Sequence, residues 1–271
     1  MELMLDIRGL ETIAWVKRQG ESTTHHQDKH VIIHKQLQIS TDREIFFPGE
    51  YAYQFNYELQ PTLPGSFQLS HRSAGRFRNI RSTVKYELKA LQRVQGAFRA
   101  DLEMKRELVV VPVPTAPVVR PLQRSTSQEV WVMTMFRKGT CQLSAYMDRD
   151  VFVPGEKVMV RCSIFNLSKV NIRALSLRLY EDLVLHHKRG KDTRTSTCLC
   201  EGEFSGVLAG DTADKIVSLH LMDWRSGRAI QPSTASRFIA CDYRIEVRCS
   251  FMMSPSVSLE FPITVVHQNS K

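Results

Sequence analysis

Arg72, Arg76, Arg78 and Arg81 fall close together in the chain and lead into Lys85 and Lys89. Guanidinium groups offer planar, bidentate, charge-assisted hydrogen bonds that suit phosphate oxygens. The chemistry open to this cluster is therefore anion recognition, and Arg72, Arg76, Arg78, Arg81 and Lys85 are the candidate phosphate- or cargo-binding residues. A solvated charged face is the plainer reading of the same run. A second cluster, Cys198 and Cys200 with His186 and His187, has the residue types of a metal site. Zinc needs four ligands converging at about 2.0 to 2.3 Å. If 188–192 turns a simple hairpin, Cys198 falls opposite about residue 182, several positions from the histidines, so no metal is expected. His25, His26 and His30 fall where a loop is expected and read as solvated.

Catalytic motifs are absent: there is no Gly-x-Ser-x-Gly elbow, no His-Glu-x-x-His helix, no phosphate loop and no Gly-x-Gly-x-x-Gly. No catalytic residue and no cofactor is expected. The formal net charge of +9 asks for an acidic partner or a solvated surface. Nucleic acid is not the expected partner, because the basic residues come with no recognised binding motif and no base-stacking platform.

The elements that must position these residues announce themselves by a phrase used twice. Thr41-Asp42-Arg43-Glu44-Ile45-Phe46-Phe47-Pro48-Gly49-Glu50 is answered by Met147-Asp148-Arg149-Asp150-Val151-Phe152-Val153-Pro154-Gly155-Glu156. Each reads as strand, Pro-Gly turn, strand, since proline presets the first turn dihedral and glycine tolerates the positive φ that follows. Alternation supports strands: Val158, Val160, Cys162 and Ile164 point one way while Lys157, Met159, Arg161 and Ser163 point the other. The same period holds for Val84, Tyr86, Leu88 and Ala90, for Leu175, Leu177 and Leu179, and for Cys241, Tyr243, Ile245, Val247 and Cys249. No segment of comparable length carries a sustained helical stripe, so the expected class is all-β, in antiparallel sandwiches with one wet face.

These residues resemble the arrestin-fold family, most closely its alpha-arrestin branch. In the first half the resemblance rests on Phe47-Pro48-Gly49-Glu50-Tyr51-Ala52-Tyr53-Gln54-Phe55-Asn56-Tyr57-Glu58-Leu59, on Leu63-Pro64-Gly65-Ser66-Phe67 and on Val84-Lys85-Tyr86-Glu87-Leu88-Lys89-Ala90. In the second half it rests on Leu143 to Arg149, Val153-Pro154-Gly155-Glu156, Ile164-Phe165-Asn166-Leu167-Ser168 and Cys241 to Val247. The resemblance implies two tandem arrestin-like sandwiches. It also implies a shortened first domain, because the strand ending in a glycine and a tryptophan, here Ile7 to Trp15, follows several others in the family and opens this chain.

At 271 residues the chain can hold two cores of ordinary domain size. The expected organisation is an amino-terminal domain over 1–117, a linker over 118–137 and a carboxy-terminal domain over 138–268. The spaced prolines from Pro112 to Pro121 remove ladder donors and favour extended backbone, and the Ser125-Thr126-Ser127 run is read as continuing that break. Cys162, Cys241 and Cys249 fall on the apolar side of their strands, where free cysteine behaves as a small hydrophobe. A reducing, cytosolic address follows, and the sequon Asn166-Leu167-Ser168 is then a chance match. No apolar run nears the roughly 20 residues that span a bilayer, and Met1-Glu2-Leu3-Met4 lacks the basic leader of a secretory signal.

Function follows from the resemblance. It implies a noncatalytic cytosolic adaptor that binds cytoplasmic tails of membrane proteins for endocytosis, sorting or signalling regulation, with recruitment to the plasma membrane or endosomes. Ubiquitin ligase or coat components are implied partners, although these residues contain no Pro-Pro pair and so no Pro-Pro-x-Tyr motif. The alternatives are a retromer-like coat subunit in endosomal transport and a basic module that binds anionic lipids.

Overall fold

The structure is a computed structural model and describes residues 2–40, 49–74, 77–93, 101–112, 119–133, 135–186 and 192–267. Among them there is no helix, and hence none long and apolar enough to cross a membrane. The chain forms two compact units, Met1–Pro114 with Ser236–Phe238, and Thr115–Ala235 with Ile239–Lys271.

In the first unit, β1 (Glu2–Gln19) and β2 (Ser22–Ser40) make a long hairpin closed at Gly20, whose φ of 63° suits a tight turn between twisted strands. Next come β3 (Phe67–Ala74), β4 (Phe77–Arg93) and β5 (Leu102–Leu108). They form one antiparallel sheet in the order β2-β1-β4-β3, with β5 also on β4. β3 and β5 share one edge of β4, β3 against its first half and β5 against Tyr86 to Gln92. Period-two alternation buries Leu5, Ile7, Ile13 and Trp15 of β1 beside Ile80, Val84 and Tyr86 of β4. Leu88 and Ala90 continue the pattern but are only half-buried.

Two expectations change here. His25, His26 and His30 lie on β2, not in a loop: His26 stacks on Trp15 with ring centroids 5.1 Å apart, and His30 meets Phe238 edge-on. β2 is an edge strand with most of its side chains exposed, so it carries no alternation to read. The aromatic segment from Tyr51 to Leu59, expected as a strand, forms none, and Tyr51, Tyr53 and Phe55 are exposed. A strand needs a neighbour for its backbone groups, and no described strand lies beside this one. The turn residue Pro48 and the strand expected before it lie outside the described residues, which resume at Gly49. The Leu-Pro step has a clear structural role. Leu63 is buried, the Pro64 carbonyl accepts a 2.6 Å hydrogen bond from the Tyr86 hydroxyl, and Ser66 exchanges bonds with Val110.

The second unit opens with β6 (Leu122–Val132) and β7 (Phe136–Met147). Residues 122–132 were expected within the linker. They form an edge strand along β7 in which Val130 is the one fully buried residue, so the serine and threonine run gives no periodic signal. The chain continues through β8 (Val151–Phe152), β9 (Lys157–Ser168), β10 (Ile172–Leu185), β11 (Thr193–Val207) and β12 (Thr212–His220). It ends with β13 (Met222–Asp223), β14 (Arg228–Ala229), β15 (Thr234–Ala235), β16 (Ile239–Phe251) and β17 (Val257–Val265). One sheet runs β11-β10-β16-β17-β8, with β15 also on β16, a second runs β12-β9-β7-β6, and β13 and β14 pair with each other. Leu143, Val158, Val160, Cys162 and Ile164 from one and Leu175, Leu177, Leu179, Tyr243, Ile245 and Phe261 from the other are all buried, as a sandwich requires. The all-β class of antiparallel sandwiches read from the alternation, which the resemblance made arrestin-like, is the fold observed. Cys162, Cys241 and Cys249 are buried free thiols, and burial pushes the Cys162 thiol up to about 12.

The second Pro-Gly phrase is a tight turn, with Gly155 at φ 83°. The Glu156 carboxylate accepts the Val153 amide at 2.8 Å and pairs with Arg149 at 3.2 Å, while that guanidinium lies 4.7 Å from the centre of the Phe152 ring. The phrase is thus a closed local network: its arginine, aromatic residue and glutamate hold one another.

Candidate phosphate- or cargo-binding surface

β4 positions most of the candidate basic residues. Lys85 stands opposite Leu10 of β1, Arg81 opposite Ala14 and Arg78 opposite Val16. Strict alternation would turn Arg78 inward with Ile80. A bulge intervenes between the Ala14 and Val16 pairs, with Asn79 at φ 50°, and it returns Arg78 to the outer face. Arg78, Arg81 and Lys85 are therefore brought together on one exposed face. Arg72 sits on β3 opposite Ile80, and Arg76 lies outside the described residues.

The electrostatics divide this face in two. Toward β5 the cations are answered: Lys85 pairs with Glu107 at 3.6 Å, Lys89 with Glu103 at 2.7 Å, and Lys105 with Glu103 at 2.8 Å. Hydrogen bonds from Lys105 and then Lys89 hold the Glu103 carboxyl below the usual carboxylate range, and Glu103 in turn raises Lys105. Exposed pairs like these add little stability, but they occupy lone pairs and ammonium protons that a ligand would need. Toward the β1–β2 turn no such answer exists, and Arg78 and Arg81 have no ion pair among the described residues. A Thr12–Thr83 hydroxyl contact of 2.7 Å lies between the two halves.

The opposite face of the same sheet holds a group that the sequence reading passed over. Glu11 is 1% exposed, and its Oε1 accepts hydrogen bonds from Ser236 Oγ at 2.6 Å and the Phe238 amide at 2.7 Å. Its inward parity between Gly9 and Ile13 was the available signal. Burial, and then the Glu11 charge, push the Tyr86 hydroxyl up to about 12.

The cysteine and histidine cluster does not converge. Cys198 pairs with Tyr180, two positions from the expected partner, in a register that begins at Leu185 opposite Thr193. The Cys200 thiol donates to the His220 carbonyl, and His186 meets Asp192 at 3.0 Å. His187 lies outside the described residues, and among those described no three His, Cys, Asp or Glu side chains group as metal ligands. Asn166, read as part of a sequon, is fully buried. Its Nδ2 donates to the carbonyls of Val170 and Leu208, both at 2.9 Å, and its Oδ1 accepts from Ser168 Oγ at 2.7 Å.

Residues 137–270 match the family described as Arrestin (or S-antigen), C-terminal domain. Arrestin domain-containing protein A of Dictyostelium discoideum is 20% identical over 278 aligned residues, covering 97% of this chain and 45% of that protein. Arrestin domain-containing protein 5 of Homo sapiens is 22% identical over 181 residues, covering 65% of this chain and 50% of that protein. The chain spans about half the length of these relatives.

Proposed function

Because the chain belongs to the arrestin-fold family, we propose that it is a noncatalytic adaptor that binds cytoplasmic segments of membrane proteins and delivers them to sorting, endocytic or ubiquitination machinery. It works in the cytoplasm and is recruited to the plasma membrane or endosomes through its cargo. The observation that carries this reading is the unequal neutralisation of the β4 face. Lys85 and Lys89 are already tied to carboxylates, whereas Arg78 and Arg81 stand exposed on the outer face with no ion pair among the described residues. Two adjacent guanidinium groups so placed suit a phosphorylated side chain of an otherwise extended peptide. Arg72, and Arg76 in the segment leading to β4, extend the same basic run in sequence.

The test compares phosphorylated and unphosphorylated forms of one cytoplasmic tail peptide against the full chain. Arg78→Glu with Arg81→Glu should abolish the preference for the phosphorylated form and leave the melting temperature nearly unchanged, since both residues are exposed. Lys85→Glu should have a smaller effect, because Lys85 is already engaged by Glu107. Salt should weaken the wild-type complex. Equal binding of the two peptides across a panel of tails would remove phosphate recognition from this face.

A further inference from the structure

The aromatic segment from Tyr51 to Leu59 is used neither by the fold nor by the proposed function. Tyr51, Tyr53, Phe55, Tyr57 and Leu59 take every second position, with Ala52, Gln54, Asn56 and Glu58 between them. That is the pattern of a strand with one apolar face. Tyr51, Tyr53, Phe55 and Leu59 are nevertheless exposed, Phe55 by 48%, and so are the four residues between. Water therefore reaches both faces of a segment patterned to bury one. The segment is also tethered: the Leu63 amide donates to the Gln60 carbonyl at 3.2 Å, Leu63 is buried, and the Pro64 carbonyl accepts from the Tyr86 hydroxyl. Its carboxy-terminal end is held to the sheet while the aromatic row before it stands largely in solvent.

The row matches itself. Set antiparallel against a second copy with Phe55 opposite Phe55, Tyr53 meets Tyr57, Tyr51 meets Leu59 and Gln54 meets Asn56. In that register Glu50 faces Gln60 and Glu58 faces Ala52, so no carboxylate opposes another. Neighbouring registers fail for definite reasons. A slip of one residue sets apolar against polar along the whole row. A slip of two brings Glu50 against Glu58 at both ends in one direction. In the other it sets Tyr51 against Pro61, which has no amide to donate. Residues 49–61 hold these two glutamates and no lysine or arginine, so in a chain of net charge +9 this stretch meets its own copy without opposing cations.

We propose that residues 50–60 are a self-pairing strand, through which two copies of the chain join about a twofold axis centred on Phe55. The contact is isologous, the same segment serving on both sides. Backbone groups that no described strand of the same chain meets form the ladder, and the Phe55–Phe55 and Tyr53–Tyr57 pairs supply the cross-strand contacts that hold it. A second copy is favoured over an unrelated peptide because parity, register and the placing of both carboxylates are satisfied by the segment itself. Two paired strands alone are marginally stable, so the dimer forms and dissolves with concentration. The inference goes beyond the adaptor reading and uses none of the residues that carry it.

The experiment is sedimentation velocity of the full chain over a roughly hundredfold range of concentration, in which wild type should pass from monomer to dimer. Phe55→Asp sets a carboxylate against its own copy at the axis. It should stay monomeric to the top of the range, with an unchanged melting temperature in dilute solution, since Phe55 is exposed. Cross-linking reads the register. Under oxidised glutathione Phe55→Cys should form a disulfide with its own copy, because residues directly opposite in an antiparallel pair bring their Cα atoms within disulfide reach. Asn56→Cys should cross-link efficiently with Gln54→Cys and poorly alone. The proposal is overturned if wild type stays monomeric throughout, if Phe55→Asp dimerises as wild type does, or if cross-linking ignores the register. An unrelated extended peptide that orders the segment in a chain that stays monomeric would give the surface to that partner and likewise overturn it.

Discussion

Gly9 on β1 lies directly opposite Tyr86 on β4, and a β-carbon at Gly9 would sit 2.7 Å from that ring and 2.7 Å from Ile33. The sheet closes over the tyrosine only because nothing projects from the glycine. Gly9→Ala should therefore destabilise the amino-terminal unit by about 1 to 3 kcal/mol, the usual cost of overpacking. An unchanged melting temperature would refute this contact.

Tyr86→Phe keeps the ring and removes the hydrogen bond to the Pro64 carbonyl, at a cost of about 1 kcal/mol. It should also alter the response to alkali. Below the ordinary tyrosine range near 10, folded and unfolded chains both hold the proton and the contribution is complete. Above it the unfolded chain releases its proton first, so stability falls as pH rises toward the folded value of about 12. The variant should lack that step in a comparison of melting against pH, where the other tyrosines are common to both proteins.

Asn166→Ala removes the buried amide that donates to the Val170 and Leu208 carbonyls and accepts from Ser168 Oγ. It leaves the Val170 carbonyl with the Ser168 hydroxyl at 3.1 Å and the Leu208 carbonyl with the Asp211 amide at 3.2 Å. A loss of about 3 kcal/mol is expected by denaturant unfolding. Ser168→Ala, which keeps the amide donors in place, should cost less.

Limited proteolysis should cut between about Val111 and Pro121 and release a folded carboxy-terminal fragment. β6 now sets the far limit of the cut, because its backbone is engaged with β7 from Leu122 onward. In that fragment Gly155→Val places a β-branched residue at φ 83° and should cost about 1 kcal/mol or more. A fragment that melts at the wild-type temperature would contradict the turn.

What could be read in the sequence was whatever has one wet and one dry side. β9 and β16 alternate because each packs inward against the facing sheet, and their cysteines fell where alternation placed them. β2 and β6 escaped because edge strands bury little, and polar residues without periodicity look the same in a loop and on an edge. The basic cluster was visible as composition, but its division was not. That Lys85 has a carboxylate partner while Arg78 is re-aimed by a bulge depends on β5 and β1, which are distant in sequence.

Glu11 and Phe238, hydrogen-bonded at 2.7 Å, are 227 residues apart in the chain. On a ribosome adding roughly 5 to 20 residues per second, the acceptor waits roughly 10 to 45 s for its donor. Until then a carboxylate meant for the interior has only water to satisfy it, and the amino-terminal unit stays unfinished until residues 236–238 have been made. The nascent protein is thus held open longest where its amino-terminal core is to close, and that interval is when a chaperone or an early binding partner has access to it.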